Sequence, residues 1–154
     1  MTATGFFSEL QEDHAQALIE RGISEEQAAA RGYYSTTENP HLQSLGFNRS
    51  QAATAASHRP DGEIGNYQIR PNRPREVKRV GKKTRILKYE LPANTSTVIV
   101  CPPTECQRES LKAAGIPLFI SESILKADAN LSIGLLTIGI LGIDGWRAKK
   151  GVRL

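Results

Sequence analysis

The spacing of apolar residues predicts three short helices in the first part of the chain. Two of them follow a Ser-x-x-Gln capping pattern and stop at a glycine, the usual signals for the start and end of a helix. An approximate helical stripe of apolar residues from Leu10 to Ile19 supports the first. The predicted helices lie between Ser8 and Gly22, over 25–31 and over 49–56, and we expect the first two to form a hairpin.

From residue 63 onward the pattern changes to extended segments separated by turn residues. A strand, a helix and a second strand follow one another near the end, a connection that favours parallel strands. The pattern predicts a mixed α/β class with an α+β N-terminal part. A shift in charge near residue 60 divides the chain into a helical segment, 1–60, and a part with basic strands and an incomplete β-α-β core, 61–154. The later elements are predicted as strands at 64–69, 85–91 and 98–101, a helix at 106–114, and the β-α-β unit at 118–121, 124–132 and 135–141.

The chain carries a formal net charge of +4, but the two signs are separated along it. The first forty residues are acidic and the stretch from Arg70 to Glu90 is strongly basic, so we expect a polyanionic partner, DNA or RNA. Arginines spaced by prolines at 70–75 are suited to bidentate contacts with successive phosphates; a solvated polar loop is the alternative. The predicted phosphate contacts are Arg70, Arg73, Arg75, Lys82, Lys83, Arg85 and Lys88.

Two tyrosines near the basic stretch are candidates for stacking on bases. They are Tyr67 and Tyr89, and packing against the sheet is the alternative for each. The same stretch contains Gly81-Lys-Lys-Thr, which superficially resembles a phosphate-binding loop. It lacks the Ser or Thr directly after the first Lys and the glycine five positions earlier, so nucleotide hydrolysis by that route is excluded.

The sequence argues against secretion and membrane insertion. No secretory signal precedes Ser8, and Cys101 and Cys106 are too few for a disulfide scaffold and lack zinc-ligand spacing. The apolar run 131–143 is 13 residues long, whereas a membrane-spanning helix needs about 20. We therefore expect a cytoplasmic protein that makes no membrane contact, with a buried strand in this run.

A single carboxylate, Glu122, stands at the C-terminal end of the predicted strand 118–121. Ligands and metals bind at this edge of open α/β sheets, so Glu122 is a candidate general acid or base, or metal ligand, in phosphoryl transfer. Lys126 and Asp128 belong to the same β-α unit and are further candidates. A surface ion pair between Glu122 and Lys126, four residues apart on one helical face, is the alternative interpretation.

Four segments of the chain form a combination that is more specific than any one of them. They are Ala30-Arg-Gly-Tyr-Tyr-Ser, Asp61-Gly-Glu-Ile-Gly-Asn-Tyr-Gln-Ile-Arg-Pro-Asn-Arg-Pro-Arg, Lys88-Tyr-Glu-Leu-Pro, and Pro117-Leu-Phe-Ile-Ser-Glu-Ser-Ile-Leu-Lys-Ala-Asp-Ala. Together they resemble the uncharacterised Toprim-like domain of replication primases and primase-helicases from plasmids, phages and integrated elements. The resemblance covers most of the chain.

The resemblance implies a Toprim-like α/β sheet in which Glu122 matches the acidic residue after the first core strand. A Toprim site also binds magnesium through an Asp-x-Asp pair from a later strand, and this sequence contains no such pair. The chain therefore resembles a domain truncated before that motif. We expect it to be catalytically incomplete alone, with Mg²⁺ bound only if another segment or chain completes the site. Two smaller departures are Ser123, where the family usually has Gly, and Asn72, where an Asp is common.

These observations leave several functional hypotheses open. The first is the nucleic-acid-binding part of a DNA replication primase-like protein of a mobile element. The enzyme hypothesis keeps Glu122 as general acid or base in primer synthesis. The others are a docking module for a helicase or replication initiator, formed by the acidic helices over 9–31, and a decayed fragment. Because a parallel strand at 135–141 is normally buried on both faces, an incomplete sheet would expose apolar surface and favour self-association.

Overall fold

A computed structural model describes residues 5–78, 84–93, 95 and 98–141 of the chain. These residues contain helices and three small sheets, which confirms the predicted mixed α/β class. A 3-10 helix occupies Phe6–Glu9, and the α-helices are α1 (Glu12–Ile19), α2 (Glu25–Arg31), α3 (Asn39–Ser44), α4 (Glu105–Ser110) and α5 (Ile124–Ser132). The strands are β1 (Tyr34–Thr36), β2 (Ala52–His58), β3 (Ile64–Pro71), β4 (Arg75–Val77), β5 (Arg85–Leu87), β6 (Ile99–Val100), β7 (Phe119–Ser121) and β8 (Thr137–Ile140).

The helices of the N-terminal hairpin begin and end for local reasons, though not all at the predicted residues. Ser24 caps α2 by accepting a hydrogen bond from the backbone N–H of Gln27 at 3.2 Å, and Gly32 ends this helix with a φ of 73°. Both of these signals are confirmed. The predicted cap at Ser8 is wrong, because Ser8 lies in the 3-10 helix and its hydroxyl donates to the carbonyl of Gly5 at 2.8 Å.

The antiparallel sheet β1-β2-β3 contains the largest departure from the sequence prediction. The helix expected over 49–56 is wrong, since Ala52–His58 forms the central strand β2, paired on both sides. Alanine favours a helix by only a few tenths of a kcal/mol per residue over most other residues, and strand pairing with close packing on both faces outweighs that preference. One face of β2 packs on the cluster around Leu42 and Ile69, and Ala55 joins the main core.

The C-terminal sheet has the strand order β6-β8-β7, with β7 and β8 parallel and joined by α5. This arrangement confirms the predicted β-α-β unit. Helix α5 contacts both parallel strands and buries Ile124, Ala127 and Leu131. Ser123 caps it by accepting from the backbone N–H of Lys126 at 3.2 Å. Its φ of −156° is ordinary extended backbone, so no glycine is needed at this position.

Residues from both sides of position 60 share the main hydrophobic core. Leu18, Ile23 and Ala28 from the N-terminal helices pack in one cluster with Val100 and Ile124. The charge boundary near residue 60 falls in the turn between β2 and β3, inside this packed arrangement. The position of α5 therefore depends on contacts with the beginning of the chain.

A fully buried ion pair joins α2 to α5. Arg31 Nη2 lies 2.7 Å from Asp128 Oδ1, and Arg31 Nε lies 3.0 Å and 3.1 Å from the two carboxylate oxygens. Gln27 donates to Oδ1 at 2.9 Å, and the Tyr33 hydroxyl donates to Oδ2 at 2.9 Å. Burial, and then the charge of Asp128, raise the pKa of Tyr33 well above its ordinary value, so the phenol keeps its proton for this bond. Both carboxylate oxygens thus have protein donors.

The same guanidinium also reaches the strands. Arg31 Nη1 donates to the carbonyl of Cys101 at 2.9 Å and lies 3.2 Å from Nδ1 of His58. Because a guanidinium only donates, Nδ1 must accept, and this requires a neutral His58 ring. Burial, and then the charges of Arg31 and Arg108, lower the pKa of His58. One buried cation therefore connects two helices with the ends of two strands.

Replacing Asp128 with Ala leaves Arg31 buried without its counter-charge. We expect the free energy of unfolding to fall by about 3–5 kcal/mol, because removing one partner leaves the other charge buried and unpaired. The double variant Arg31→Met/Asp128→Leu removes both charges and should recover a large part of that loss. Urea unfolding followed by circular dichroism measures all three free energies. A double variant as unstable as Asp128→Ala would contradict this account of the pair.

Acid should weaken the fold through His58. Its pKa is lower in the folded protein than in the unfolded chain, so the unfolded chain takes up this proton first. The stabilising contribution is present above the unfolded pKa of about 6.5 and is lost as the pH falls toward the folded pKa. Between about pH 7.5 and 5, the free energy of unfolding should fall less steeply for His58→Gln than for the unchanged protein. Equal slopes would show that His58 titrates alike in both states.

Candidate functional site

A groove of about 970 Å³ lies between the segment 85–91 and the beginning of α5. We call it the β5–α5 groove. It brings together five parts of the chain: Arg21 after α1, Gln68 of β3, the segment that includes β5, the junction of β7 with α5, and Leu141 after β8. Its charged and aromatic lining residues are Arg21, Arg85, Lys88, Tyr89, Glu122 and Lys126.

Two backbone pairings fix the segment 85–91 beside the groove. β5 pairs antiparallel with β4, which places Arg85 opposite Val77. Further along, Glu90 forms an antiparallel bridge with Ile69 in β3, through backbone hydrogen bonds of 2.9 Å and 3.0 Å. Lys88 and Tyr89 lie between these two anchors, so their position is set from both ends.

Positive charge dominates the groove. Four of its lining side chains are Arg or Lys, and Glu122 is its acid. Glu122 and Lys126, which are 59% and 62% exposed, form the surface ion pair that their spacing allows. The hydrogen bond from Lys126, and then its charge, lower the pKa of Glu122. At neutral pH Glu122 is therefore an ionised carboxylate and not a proton donor.

Part of the groove lining is apolar. Leu87, Leu91, Leu125 and Ala129 contribute to it, and Tyr89 is half-buried beside them. Apolar surface next to cations suits a ligand that combines anionic groups with flat rings. The phosphates and bases of a nucleic-acid strand have this combination.

The arginines of the Arg-Pro segment do not line the β5–α5 groove itself. Arg70 is half-buried at a small hollow against α1, which adjoins the groove because Arg21 and Tyr89 line both. Arg73 is exposed at a separate hollow of about 440 Å³, which Arg49 also lines. Arg75 Nε lies 3.4 Å from Oε1 of Glu90, and Arg49 binds the same buried carboxylate. The predicted row of phosphate contacts is therefore divided among three places.

The two tyrosines that were predicted to stack on bases lie in different places. Tyr67 packs against the cluster of Leu42 and Ile69, which is the sheet-packing alternative. Tyr89, in contrast, lines the β5–α5 groove. Lys82 and Lys83 lie outside the described residues.

The three acid and base candidates of the β-α unit do not form one site. Glu122 and Lys126 face the groove, whereas Asp128 is fully buried and binds Arg31. Within residues 5–78, 84–93, 95 and 98–141, no three His, Cys, Asp or Glu side chains are placed to hold a metal ion. Completion of a magnesium site by another segment stays a prediction. The helices within these same ranges are too short or too polar to cross a membrane.

Sequence reasoning missed Arg21 and a polar chain around His14. Arg21 follows the acidic first helix and reaches the groove only through the tertiary fold. His14 Nδ1 lies 2.7 Å from Ser35 Oγ, and its Nε2 lies 3.0 Å from Asn72 Oδ1. The Asn72 amide also donates to Gln11 Oε1 at 3.3 Å, a bond that an Asp would not make. These residues are far apart in sequence, so no local pattern indicates the contact.

The chain matches no protein-family model, no curated protein and no solved structure. The resemblance to the Toprim-like domain therefore rests on the four sequence segments.

Glu90 is the carboxylate that holds two arginines outside the groove. Glu90→Gln should lower the free energy of unfolding by about 1–3 kcal/mol, because the buried partner of Arg49 loses its charge. Arg75→Gln should have a much smaller effect, since Arg75 is 57% exposed and its contact with the carboxylate is 3.4 Å long. Urea unfolding measures both changes. A larger loss for Arg75→Gln than for Glu90→Gln would contradict this assignment.

Proposed function

We propose that this chain is the nucleic-acid-binding part of a replication primase-like protein of a mobile element, and that the β5–α5 groove binds a single strand. The observation that carries the proposal is the groove lining, in which Arg85, Lys88 and Lys126 stand next to Tyr89 and an apolar strip. Proteins that bind single strands without sequence preference combine a positively charged groove with an aromatic platform. The four sequence segments support the primase-like origin.

The apolar part of the groove favours a single strand over a duplex. Base faces are stacked inside a duplex, so a duplex would offer phosphates and base edges to the cations but no ring faces to the apolar side chains. A single strand exposes phosphates and base faces together. The groove volume of about 970 Å³ is near the upper size of ordinary ligand clefts, so it would hold a short stretch of strand.

The charges within the groove indicate how a strand would lie. Lys126 is already paired with Glu122, whose carboxylate repels phosphates from that wall. Arg85 and Lys88 on the opposite wall are therefore the main phosphate contacts. Tyr89 directly follows Lys88 and would stack on a base whose phosphate that lysine binds.

Primer synthesis by the chain alone is the alternative enzyme hypothesis. Glu122 is a single carboxylate, and magnesium prefers octahedral oxygen coordination anchored by one or two carboxylates together with substrate phosphates. The further acids would come from another segment or another chain. Magnesium-dependent nucleotide incorporation that disappears in Glu122→Gln would establish this alternative.

Charge reversal in the groove should reduce both affinity and its dependence on salt. Arg85→Glu/Lys88→Glu should weaken binding to a labelled single-stranded oligonucleotide by at least about tenfold at low salt. It should also flatten the slope of log K against log salt by about 1.4, the counterion release of two phosphate contacts. Fluorescence anisotropy across a salt series measures both quantities.

A matched control distinguishes the loss of groove contacts from the effect of a lower net charge on the whole protein. Arg59→Glu/Lys112→Glu makes the same change in net charge at two exposed positions outside the groove. Its affinity should stay within about threefold of the unchanged protein. Equal losses in the two double variants would indicate diffuse attraction, and full binding by the groove variant would refute the assignment. Arg73→Glu/Arg75→Glu tests the contribution of the Arg-Pro segment in the same assay.

The docking hypothesis is supported by exposed acids on the N-terminal helices. The exposed acids of this segment are Glu9, Glu12, Asp13, Glu20, Glu25 and Glu26. Deleting the helices cannot test this role, because Leu18, Ile23 and Ala28 are part of the main core. Glu9→Lys/Glu20→Lys keeps the core intact. Loss of binding to a helicase or replication initiator in that variant, with oligonucleotide binding unchanged, would establish a docking function.

A further inference from the structure

Exposed apolar side chains are concentrated around β7. Residues 113–121 contain no charged side chain, and Phe119 and Ile120 are 42% and 65% exposed. Proteins usually blunt or cover a strand of this kind, because it offers a template for pairing with another chain. The exposed large apolar residues of this region are Ile116, Leu118, Phe119, Ile120, Ile133 and Leu135.

Among the described residues, β7 is an edge strand with one neighbour, β8. The N–H of Phe119 donates to the carbonyl of Leu136 at 2.9 Å. Backbone groups of alternate residues in a strand point to the same side. The N–H and C=O groups of Leu118 and Ile120 therefore point away from β8, toward the open edge.

We infer that β7 pairs with β7 of a second copy of this chain, antiparallel and about a two-fold axis at Phe119. This register places Leu118 opposite Ile120 of the partner subunit, and Phe119 opposite Phe119 of the partner subunit. Leu118 and Ile120 then exchange both backbone hydrogen bonds, as opposite residues do in a hydrogen-bonded antiparallel pair. The two three-stranded sheets become one six-stranded sheet with an isologous interface.

The neutral, apolar sequence of β7 is better suited to pairing with β7 of a second copy than with a charged peptide. In the Phe119 register every pair over 118–120 is apolar, and Glu122 lies opposite Ile116 of the partner subunit, outside the strand. A two-fold axis at Ile120 would instead set Leu118 opposite Glu122 of the partner subunit. An acidic or basic peptide finds no counter-charge on 113–121, whereas two chains of net charge +4 meet here at neutral segments. A second copy would pair the open backbone groups of β7 and also cover its exposed apolar side chains.

Sedimentation equilibrium of the full chain tests the pairing without any nucleic acid, so its result is independent of the proposed function. The average mass should rise with concentration toward twice that of one chain. Ile120→Lys should raise the dissociation constant at least about tenfold, because it buries a charge at the paired edge. Ile120→Pro should do the same for a different reason: it keeps an apolar side chain but removes an outward N–H, a substitution that edge strands tolerate.

A matched variant and three outcomes complete the test. Ile64→Lys adds the same charge at a 46% exposed isoleucine of β3, another edge strand, and should leave the dimer unchanged. Circular dichroism confirms that each variant is folded. A monomer at every concentration would overturn the inference, and so would an Ile120→Pro variant that dimerises like the unchanged protein. Binding of a monomer to zwitterionic lipid vesicles, lost in Ile120→Lys, would assign the surface to lipid instead.

Discussion

The buried contact between Arg31 and Asp128 sets the relation between the two ends of this protein. Neither charge reaches water, so each depends on the other and on donors and acceptors from the rest of the fold. The guanidinium donates hydrogen bonds to Asp128 in α5, to the carbonyl of Cys101 and to the ring of His58. Because apolar replacement of such a pair is often neutral or stabilising, we expect it to matter more for uniqueness of arrangement than for net stability. A docking of α5 on α2 that separated the two side chains inside the core would leave an unpaired buried charge.

The shape of the groove depends on how α5 docks on α2. One wall begins at Glu122, immediately before α5, so the position of the helix fixes the position of the wall. The other wall is a segment anchored by β4 and by the bridge between Glu90 and Ile69. Glu90 has a second role there, because its side chain gathers Arg49 and Arg75 on the outside of the same segment. Arg85 and Lys88 therefore line the groove, whereas Arg49 and Arg75 bind Glu90 and help to hold the segment in place.

The elements best predicted from the sequence are those with local causes. The start of α2 follows from a Ser hydroxyl at the N-cap, and its end follows from a glycine with positive φ. The β-α-β unit follows from the alternation of apolar runs with a helical pattern. Strand β2 escaped prediction because four alanines favour a helix locally, and only its two neighbouring strands reverse that preference. Arg85, Lys88, Tyr89, Glu122 and Lys126 were each predicted as site residues, but their common groove results from contacts between distant segments, which also bring in Arg21.

The hairpin of β2 and β3 and the ion pair differ greatly in the length of chain that must close before each can form. Residues 59–63 alone separate the two strands, whereas Arg31 and Asp128 are 97 positions apart. Closing a long loop costs more entropy, and contacts between distant residues slow folding. We therefore expect the hairpin to form early in folding and α5 to dock on α2 late. Interactions absent from the transition state govern the unfolding rate, so a late docking would make the release of α5 from α2 a main determinant of how long the folded groove persists.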